Sequence, residues 1–494
     1  LVRETASATG ASGGAVFLAD DDGKRLAPAS AVAGGEEAAG ALAPVEAGGD
    51  SPVARAYRTG QTLTTPADAG NAVADIAALA RLTPNGTGTL TAIPLRDREG
   101  GTTGVLVLPS AAEAGLSTER IAFAEALSGT AAIAIENQRL LAARKALLDA
   151  FIRLVAGAID AKSPYTGGHC ERVPELTSML ARAACEEREG PLRDFRLDEE
   201  GWEAVQIASW LHDCGKVTTP EYVVDKATKL ETLYDRIHEI RMRFEVLKRE
   251  AEVDYWKKVA AGGDPHALRP ALDDTWRTLD DEFTFVARCN QGGEAMDPAD
   301  VARLAGIAKR EWRRTLDDRI GISHEEKARK ERTPAPELPV LERLLADRPD
   351  HILARAQADR LPGDNPWGFR MDVPRFKYNR GELYNLSVGR GTLTEEDRYV
   401  INHHIVQSIV MLSQLPFPKH LKDVPEIAGG HHEKMDGTGY PKRLTRGQMS
   451  WPARMMAIAE IFEALTAADR PYKKAKPLSE AIRIMSAMRR EGHV

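Results

Sequence analysis

At 494 residues the chain is too long for one ordinary hydrophobic core, and its length predicts two or three domains. The apolar fraction of 43% and the charged fraction of 28% are typical of globular proteins and exclude a disordered chain. A formal net charge of −7 excludes the global basic field that would attract nucleic acid, so we expect no nucleic-acid partner. Any anionic substrate would therefore need a local cluster of Lys and Arg.

The four cysteines, Cys170, Cys185, Cys214 and Cys289, show neither paired metal spacing nor a disulfide framework. No run of residues approaches the ~20 apolar residues of a membrane span, and no signal peptide is recognisable. These features predict a cytoplasmic protein. Because the chain begins at Leu and stops within a helical pattern, we expect a longer protein whose upstream part could hold a sensor or a membrane segment.

Residues 1–116 alternate strand and helix signals and predict an α/β domain. The stretch GGAVFLADDDGKRLAPAS is typical of a hairpin around an Asp-Gly turn, and LTAIPLRDREGGTTGVLVL of a second hairpin. Between them, Ser51 caps a short helix that begins with Pro52 and ends at Gly60. This order, followed by a long helix, resembles a GAF domain. The resemblance implies a sensor with a small ligand that the sequence does not identify, and no Cys-His arrangement indicates haem or a bilin.

Residues 117–150 predict a linking helix. Two apolar rows repeat every seven residues from here into the next domain: Ile133, Leu140, Leu147 and Leu154, and Leu141, Leu148 and Val155. Such a heptad pattern predicts a parallel two-stranded coiled coil and hence a homodimer, in which this helix would carry a signal from the sensor. The alternative is one long helix packed on its own domain.

Residues 151–494 predict an all-α domain interrupted by an insert. The insert, at about 227–389, begins with the long charged helix LYDRIHEIRMRFEVLKREAEVDYWKKVA and continues through loops punctuated by Pro and Gly. We expect the insert to be mainly helical. Its composition favours neither a cover for the active site nor a surface for a partner.

The segment WLHDCGK places a His and an Asp together at the end of an apolar helix. His212 and Asp213 end that helix, and Gly215 breaks it. An imidazole beside a carboxylate that can bridge two ions is what a binuclear metal site requires. Lys216, four residues after His212, would lie beside the site and could hold a phosphate. Adjacent His and Asp are common by chance, so the metal interpretation needs other segments that converge on them.

Two further segments carry residues of the same chemical types. In TGGHCERV, His169 and Arg172 lie three residues apart on one helical face. In LTEEDRYVINHHIVQSIVML, Thr394 caps a helix whose acidic first turn matches the helix dipole. Only one of His403 and His404 can face the apolar side of that helix, so one of the two is a candidate ligand.

The last two segments are HHEKMDGTGYP and ARMMAIAEIFEALTAADRPYKK. The first places His431 and His432 ahead of a glycine-rich turn, and a helix-stop turn alone would explain the glycines but not the paired histidines. The second carries Glu460 in an apolar helix, where a carboxylate is costly to bury unless it is paired or bound to metal. The alternative for Glu460 is a structural ion pair with Arg454.

In their order along the chain, these segments resemble the HD-GYP family, a branch of the HD-domain metal-dependent phosphohydrolases. The matching pieces are TGGHCERV, LHDCGK, LTEED with NHH, HHEKMDGTGYP and AEIFEALTAADRPYK, over about residues 160–480. The resemblance implies hydrolysis of cyclic di-GMP to pGpG, with onward hydrolysis to GMP left open. It also implies two divalent metal ions as cofactors, iron or manganese, since no thiolate is available to select zinc.

The resemblance implies roles for individual residues. The metal ligands would be His212, Asp213, His404, His431, His432 and Glu460. The catalytic residues would be Asp213, which bridges the two ions, and Lys216. The substrate-binding residues would be Arg172, Lys216, Asp436, Gly437, Gly439, Tyr440, Pro441, Arg470 and Lys473. Two residues, His169 and Glu433, would support the metal ligands from a second layer.

The chain departs from the family pattern at three points. The family usually has Asp at the position of Glu460, and the extra methylene displaces the carboxylate by ~1 Å while leaving it able to bind metal. This change could slow catalysis or alter the preferred metal. Tyr165 stands where three-metal members carry a Glu, which predicts two metals. Because of the insert, His238 is a rival to His404, although the flanking LTEED and ML favour His404.

Two alternative functions remain open on the sequence alone. The chain could be a catalytically weak or inactive module that binds cyclic di-GMP or a signalling partner such as a diguanylate cyclase, as Glu460 and the insert suggest. It could also hydrolyse another nucleotide, such as a mixed cyclic dinucleotide, by the same mechanism. Metal analysis with turnover of cyclic di-GMP distinguishes the first alternative, and a substrate panel distinguishes the second.

Overall fold

A computed structural model describes residues 1–20, 22–33, 36–37, 40, 42–68, 74–83, 86–98, 100–162, 168–361, 364–467 and 475–494. Tyr165, Arg470 and Lys473, which the sequence analysis selected, lie outside these residues. The chain divides into two compact units, Leu1–Ala150 and Phe151–Val494. Across the described ranges, no helix combines the length and the apolar character that crossing a bilayer requires.

The first unit is built on an antiparallel sheet. Its described strands are β1 (Gly13–Ala19), β2 (Arg25–Ala33), β3 (Glu36–Glu37), β4 (Val45–Glu46), β5 (Leu63–Asp68), β6 (Thr87–Arg96) and β7 (Thr102–Ser110). In spatial order they run β3-β2-β1-β7-β6-β5, with β4 paired to β2. The two predicted hairpins form, as β1 with β2 and β6 with β7; Val16 lies opposite Ser30, and Ile93 lies opposite Leu106.

Helices pack on both faces of this sheet. They include α1 (Val2–Thr9), α2 (Pro52–Thr59) and α3 (Ala74–Ala80). Successive residues of a strand point to opposite faces, so Phe17 of β1 packs in one apolar core with Val53, while Val16 packs in a second core with Val2. As predicted, Ser51 caps α2, and its hydroxyl accepts a backbone N–H at 3.1 Å. The result is the predicted α/β unit.

A single 45-residue helix, α4 (Thr118–Lys162), contains the boundary between the two units. The first of its two heptad rows lies on the surface, since Leu140, Leu147 and Leu154 are 61%, 62% and 66% exposed. A helix that packed this row on its own domain would bury these side chains. The exposed row therefore argues against the packed-helix alternative.

The second unit contains, in chain order, α5 (His169–Glu186), α6 (Glu199–Leu211), α7 (Glu221–Val224), α8 (Ile237–Ala260), α9 (Pro265–Asn290), α10 (Pro298–Ile307), α11 (His324–Lys330), α12 (Glu382–Leu386), α13 (Glu395–Ser413), α14 (Val424–Gly429), α15 (Trp451–Thr466) and α16 (Leu478–Arg490). Helices α5, α6, α14 and α15 share one apolar core, in which Ile207, Val424 and Met456 are buried. Helix α13 packs on the turn that follows α6. These helices bring the predicted site segments together.

The predicted insert has its own apolar core. Helices α8 and α9 pack against each other there, and Ile240 and Leu279 are buried between them. Two small antiparallel sheets accompany them: β8 (Glu311–Arg314) with β9 (Val340–Arg343), and β10 (Ile352–Ala354) with β11 (Phe376–Asn379). The sequence analysis missed these sheets, because strands of three or four residues are too short to show a periodic pattern.

Candidate metal centre

The turn after α6 brings a His and an Asp against α13. His212 and Asp213 follow the last turn of α6, and both are buried. The N–H of Gly215 donates to Oγ of Ser408 on α13 at 2.9 Å. A Cβ at Gly215 would lie 1.9 Å from the carbonyl oxygen of His404, so only glycine permits this approach. The glycine predicted to break the helix is therefore also the residue that lets this turn meet α13.

Three of the buried histidines share one orientation. In His212, His404 and His431, Nδ1 lies within hydrogen-bonding distance of the carbonyl oxygen three residues earlier. These oxygens belong to Ser209, Ile401 and Ala428, at 2.7, 2.6 and 2.6 Å. A carbonyl can only accept, so each Nδ1 carries a proton and Nε2 is the ring atom left to face the interior. This is the tautomer that a ligand bound through Nε2 requires.

The carboxylate of Asp213 lies between two groups of these ring nitrogens. Its Oδ2 lies 3.2 Å from Nε2 of His212 and 3.1 Å from Nε2 of His169. Its Oδ1 lies 3.2 Å from Nε2 of His404 and 4.0 Å from Nε2 of His431. One oxygen therefore faces each group, as in a carboxylate that bridges two ions.

Two sets of potential ligand atoms flank this carboxylate, and a third group, His212, Asp213 and His431, connects them. The first set is His404, His431 and His432, and the second is His169, His212 and Glu460. Within each set, the ligand atoms lie within 4.8 Å of one another. In the first set, Nε2 of His432 lies only 3.3 Å from Nε2 of His404. Two ring nitrogens this close either share a proton in a hydrogen bond or, with both lone pairs free, bind one cation.

Four buried polar atoms of this centre have no hydrogen-bond partner among the described residues. They are Nε2 of His212, Nε2 of His431, Oδ1 of Asp213 and Oε2 of Glu460. Buried polar groups in folded proteins are almost always satisfied, so four such atoms in one place call for a compensating ligand. A cation would accept lone pairs from all four. The residues present therefore fit two divalent metal ions, one on each side of Asp213.

Most protonation states in this centre suit metal binding. The exceptions are His169 and His212: burial would lower their pKa values, but Asp213 and Glu460 raise them, that of His212 to about 9, so a metal ion would displace a proton from each ring. Burial would raise the pKa of Asp213, but Lys216 and His212 outweigh it and hold that pKa well below its usual range. Burial would also raise the pKa of Glu460, but the neighbouring histidines hold that pKa well below its usual range. Burial, assisted by the charge of His212, lowers the pKa of His431 to about 3. Ionised carboxylates and a neutral imidazole are the forms in which these groups bind metal.

His169 lies closer to the centre than the sequence analysis expected. Its Nε2 lies 3.3 Å from Oε2 of Glu460, within the second set of ligand atoms. Its Nδ1 lies 2.9 Å from Oε2 of Glu463, a buried carboxylate that was not among the predicted site residues. His169 is therefore a candidate ligand, and Glu463 occupies the supporting position. The available signal for Glu463 was its place three residues after Glu460 in the same apolar helix.

The two described cations that were predicted to hold phosphate both contact carboxylates. Nη2 of Arg172 lies 2.5 Å from Oε1 of Glu463, and Nζ of Lys216 lies 2.5 Å from Oδ2 of Asp213. The side chains of Arg172 and Lys216 are 40% and 24% exposed, so both remain accessible to solvent. Of the two, Lys216 contacts the central carboxylate directly.

The structure distinguishes the rival histidines. His404 faces inward and belongs to the first set of ligand atoms, whereas its neighbour His403 belongs to neither set. The ring of His403 instead lies beside Tyr399, with the centroids 5.7 Å apart. His238 lies on the exposed surface of α8, where it contacts Arg241. The geometry therefore favours His404, as the flanking sequence did.

Glu433 has a different contact from the one predicted. The resemblance implies that it orients a histidine. In the structure its carboxylate accepts the N–H of Lys442 at 2.6 Å and the N–H of Leu444 at 2.8 Å. Backbone donors that leave a turn outside any sheet need an acceptor, and a buried carboxylate supplies it. Glu433 therefore holds the far end of the turn close to His432.

The glycine-rich turn itself is tightly constrained. Gly437 has a φ of 81°, and Asp436 accepts a backbone N–H two residues further on at 2.9 Å. A Cβ at Gly439 would lie 2.2 Å from a backbone nitrogen, so only glycine fits there. The ring of Tyr440 stacks on His432, with centroids 4.8 Å apart and planes 21° apart. The turn thus presents an aromatic ring beside a candidate ligand.

The insert reaches this turn. The N–H of Arg370 donates to the carbonyl oxygen of Pro441 at 2.7 Å. On the next stretch of chain, Oδ2 of Asp372 lies 2.6 Å from Nη2 of Arg443. The segment of the insert that precedes β11 therefore forms a wall beside the glycine-rich turn, which its composition did not reveal.

Two known families match parts of the chain. The GAF domain matches residues 1–136, and the HD domain matches residues 339–494. The second match includes the candidate ligands His404, His431, His432 and Glu460. It begins after the turn that carries His212 and Asp213, with most of the predicted insert in between.

Several curated proteins are similar to the chain over a shorter stretch. The 3'3'-cGAMP-specific phosphodiesterase 3 of Vibrio cholerae is 38% identical over 96 residues, which are 19% of this chain and 20% of that protein. A cyclic di-GMP phosphodiesterase of Pseudomonas aeruginosa is 38% identical over 96 residues, which are 19% of this chain and 22% of that protein. One of Thermotoga maritima is 36% identical over 98 residues, 20% of this chain and 26% of that protein. The chain thus aligns with about a quarter or less of each relative.

With the two family matches, these findings show that the chain contains an N-terminal GAF domain and a C-terminal HD domain, as the resemblance predicted.

Proposed function

We propose that the chain is a metal-dependent phosphodiesterase that hydrolyses cyclic di-GMP to pGpG under the control of its GAF domain. The observation that carries this proposal is the convergence of buried histidines and carboxylates on Asp213. Four polar atoms there lack a hydrogen-bond partner among the described residues, which a metal centre explains. Similarity to proteins named cyclic di-GMP phosphodiesterases supports the substrate.

The proposed ligands would hold two divalent ions. They are His404, His431 and His432 on one side, His169, His212 and Glu460 on the other, and Asp213 between them. When bound, the ions would lower the pKa of a water molecule and neutralise charge on the phosphoryl oxygens. Nitrogen and carboxylate donors without a thiolate suit iron or manganese.

The remaining groups would bind and orient the substrate. Lys216, beside Asp213, would meet a phosphate oxygen as a compact positive charge. Arg172 would present its exposed guanidinium to a second phosphate while Glu463 holds it in place. Tyr440, stacked on His432, would line the pocket. The other proposed substrate-binding residues are Asp436, Gly437, Gly439 and Pro441 of the turn, with Arg470 and Lys473 outside the described part of the chain.

We propose the following organisation of the chain. A GAF-like sensor domain covers residues 1–116, and a linking helix covers residues 117–150. An HD-GYP domain covers residues 151–494, with the insert at about 227–389. The exposed heptad leucines of α4 support a parallel coiled coil between two copies of the chain, because their burial would require such a partner.

A cavity in the first unit supports control by a small ligand. Its volume is about 340 Å³, and Phe17, Val45, Ser51 and Leu79 contribute to its lining. Apolar walls with a few polar groups are typical of small-molecule sites. A ligand bound there would give the sensor domain a signal to pass on.

A mixed cyclic dinucleotide is the second candidate substrate. Two relatives named 3'3'-cGAMP-specific phosphodiesterases, both of Vibrio cholerae, are 38% and 41% identical to the chain over the matched stretch. Both kinds of substrate contain phosphodiester bonds that the same metal centre would attack. Discrimination between them therefore falls to the groups that contact the bases.

The proposed function is tested by metal analysis combined with a hydrolysis assay. The full chain would be purified without oxygen, loaded with iron or manganese, and assayed with cyclic di-GMP and 3'3'-cGAMP. We expect about two metals per chain and release of a linear dinucleotide, and we expect His431→Ala to lose both properties. His403→Ala is the matched control, because His403 adjoins a candidate ligand but belongs to neither set. A metal-loaded wild type that binds but hydrolyses neither substrate would make the domain a binding module instead.

A further inference from the structure

The last turn of α4 holds the backbone on both sides of His169. Oδ2 of Asp160 accepts the N–H of Gly168 at 3.1 Å and the N–H of Cys170 at 3.3 Å. Both donors belong to the orphan N–H groups at the start of α5, which a carboxylate satisfies well. Asp160 thus sets the position from which the His169 side chain enters the metal centre.

The same turn of α4 also holds the segment that follows Asp213. Nζ of Lys162 donates to the carbonyl oxygens of Lys216 at 3.0 Å, Val217 at 2.6 Å and Thr219 at 2.6 Å. These carbonyls lie at the C-terminal end of a short 3-10 turn, Cys214–Thr218, where partial negative charge favours a cation. One ammonium group thus anchors the backbone that carries Lys216.

The contacts of Asp160 and Lys162 involve the segments that carry one set of candidate ligands more directly than those that carry the other set. Asp160 acts on the segment of His169, and Lys162 acts on the segment that begins with His212 and Asp213. The other set, His404, His431 and His432, is carried by α13 and by the turn after α14. A displacement of the end of α4 would therefore disturb the second set of ligands first.

We propose that Asp160 and Lys162 are positioning residues through which the end of α4 controls the side of the metal centre that His169 and His212 form. The inference rests on the proposed function and assigns the point at which the linking helix would regulate it. Because α4 also carries the exposed heptad row, any rotation or axial shift of the helix would change these five hydrogen bonds directly.

The test compares three variants of the full chain. Asp160→Ala removes the acceptor, Asp160→Asn keeps a carbonyl oxygen for the same two N–H groups, and Lys162→Met keeps the length of the side chain without its donors. Asp149→Ala and Arg144→Met are the controls, because they lie on the same helix but in the part that belongs to the first unit. Metal per chain, kcat and KM would be measured after anaerobic loading, with circular dichroism to confirm folding.

We expect Asp160→Ala to bind about one metal instead of two and to lose about tenfold in kcat/KM, since groups behind a ligand typically contribute 10–100-fold. Asp160→Asn should stay near wild type. Lys162→Met should keep both metals and lose about tenfold in kcat/KM through misplacement of Lys216. The two controls should match wild type.

Several outcomes would overturn the inference. Unchanged metal content and kcat/KM in both Asp160→Ala and Lys162→Met would do so, as would equal loss of both metals in a folded Asp160→Ala. If Asp160→Ala does not fold, Lys162→Met decides, because it removes no carboxylate from the helix end. A wild type that binds two metals but hydrolyses no cyclic dinucleotide would contradict the proposed function alone, since the metal count still tests the positioning role.

Discussion

Two regions of the second unit bury several charged groups, and they do so in opposite ways. In the insert, an ion network consists of Arg314, Asp318, Lys330, Glu342, Arg348 and Asp350. Each of its carboxylates meets a cation: Lys330 lies 2.7 Å from Asp318 and 3.3 Å from Asp350, and Arg314 lies 2.8 Å from Glu342. In the metal centre, by contrast, imidazole nitrogens and carboxylate oxygens crowd together and several have no partner among the described residues.

The difference teaches that burial of charge does not by itself mark a functional site. The insert network supplies its own counterions, so its charges are compensated when the chain folds. Burial would raise the pKa of Asp318, but Lys330 lowers it below its usual value. The candidate metal centre is compensated only in part by Lys216, and the proposed cations would compensate the buried polar atoms that lack a partner among the described residues. The four predictions that follow test this distinction.

The largest effect should come from the carboxylate between the two ligand sets. We expect Asp213→Ala to lose at least about 1,000-fold in kcat/KM and to bind less than one metal per chain, because bridging of the ions contributes several kcal/mol. Metal analysis and the cyclic di-GMP assay measure both. Asp318→Asn in the insert network is the matched control and should keep its metals. Equal loss of metal in the two variants would contradict the claim that metal binding depends on the centre around Asp213 and not on the insert network.

Metal should also stabilise the fold, and only through the metal centre. At a metal concentration about 100 times Kd, binding to the folded state adds about 2.7 kcal/mol to the free energy of unfolding. We therefore expect manganese to raise the Tm of the HD unit by several degrees and a chelator to reverse the shift. Differential scanning calorimetry measures the change. His431→Ala should show little of it, whereas an equal shift in that variant would place the stabilising site elsewhere.

The insert network should matter for stability but not for metal. Lys330→Met leaves Asp318 without its closest cation and removes one of two cations that lie 3.3 Å from Asp350; the two carboxylates are 25% and 16% exposed. Breaking a fully buried pair costs more, so with this exposure we expect about 1–2 kcal/mol of lost stability. Urea unfolding measures the loss. The variant should retain its metals and its kcat, and a large fall in either would show that the network supports the metal centre.

A smaller effect should follow from shortening the carboxylate in α15. Oε2 of Glu460 lies 3.3 Å from His169 and 3.6 Å from His212. Glu460→Asp withdraws that oxygen by ~1 Å, and we expect about tenfold weaker metal binding on this side. Manganese titration followed by calorimetry would resolve the two sites. Tighter binding in Glu460→Asp would mean that the backbone of α15 adjusts to the shorter side chain.

Much of the local structure was predictable because neighbouring residues determine it. The hairpins of the first unit and the cap at Ser51 each depend on residues only a few positions apart. Helix α6, by contrast, ends at Leu211, before the Gly215 that was predicted to break it. The candidate ligands were selected by residue type and by resemblance, and the structure brings them together. The small sheets of the insert were not predicted, because strands of three or four residues show no detectable period.

Three residues have contacts that differ from the roles predicted for them, and the differences have a common cause. His169 was placed behind the ligands, Glu433 was assigned to a histidine, and Glu463 was not selected. In the structure His169 points its Nε2 at Asp213, and Glu433 holds the backbone of the turn. Each of these contacts joins side chains and backbone through tertiary geometry, which periodicity does not record.

The sequence by itself therefore determined which chemical groups this protein has and on which helices and turns they lie, because propensity, capping and period act over a few residues. Only the tertiary structure decided which atoms meet. Arg172 and Glu463, for example, are 291 positions apart yet share an ion pair. The reason is physical: the packing of helices distant in sequence decides which ring nitrogen faces which carboxylate, and the lone pairs left over after packing are what a metal can bind.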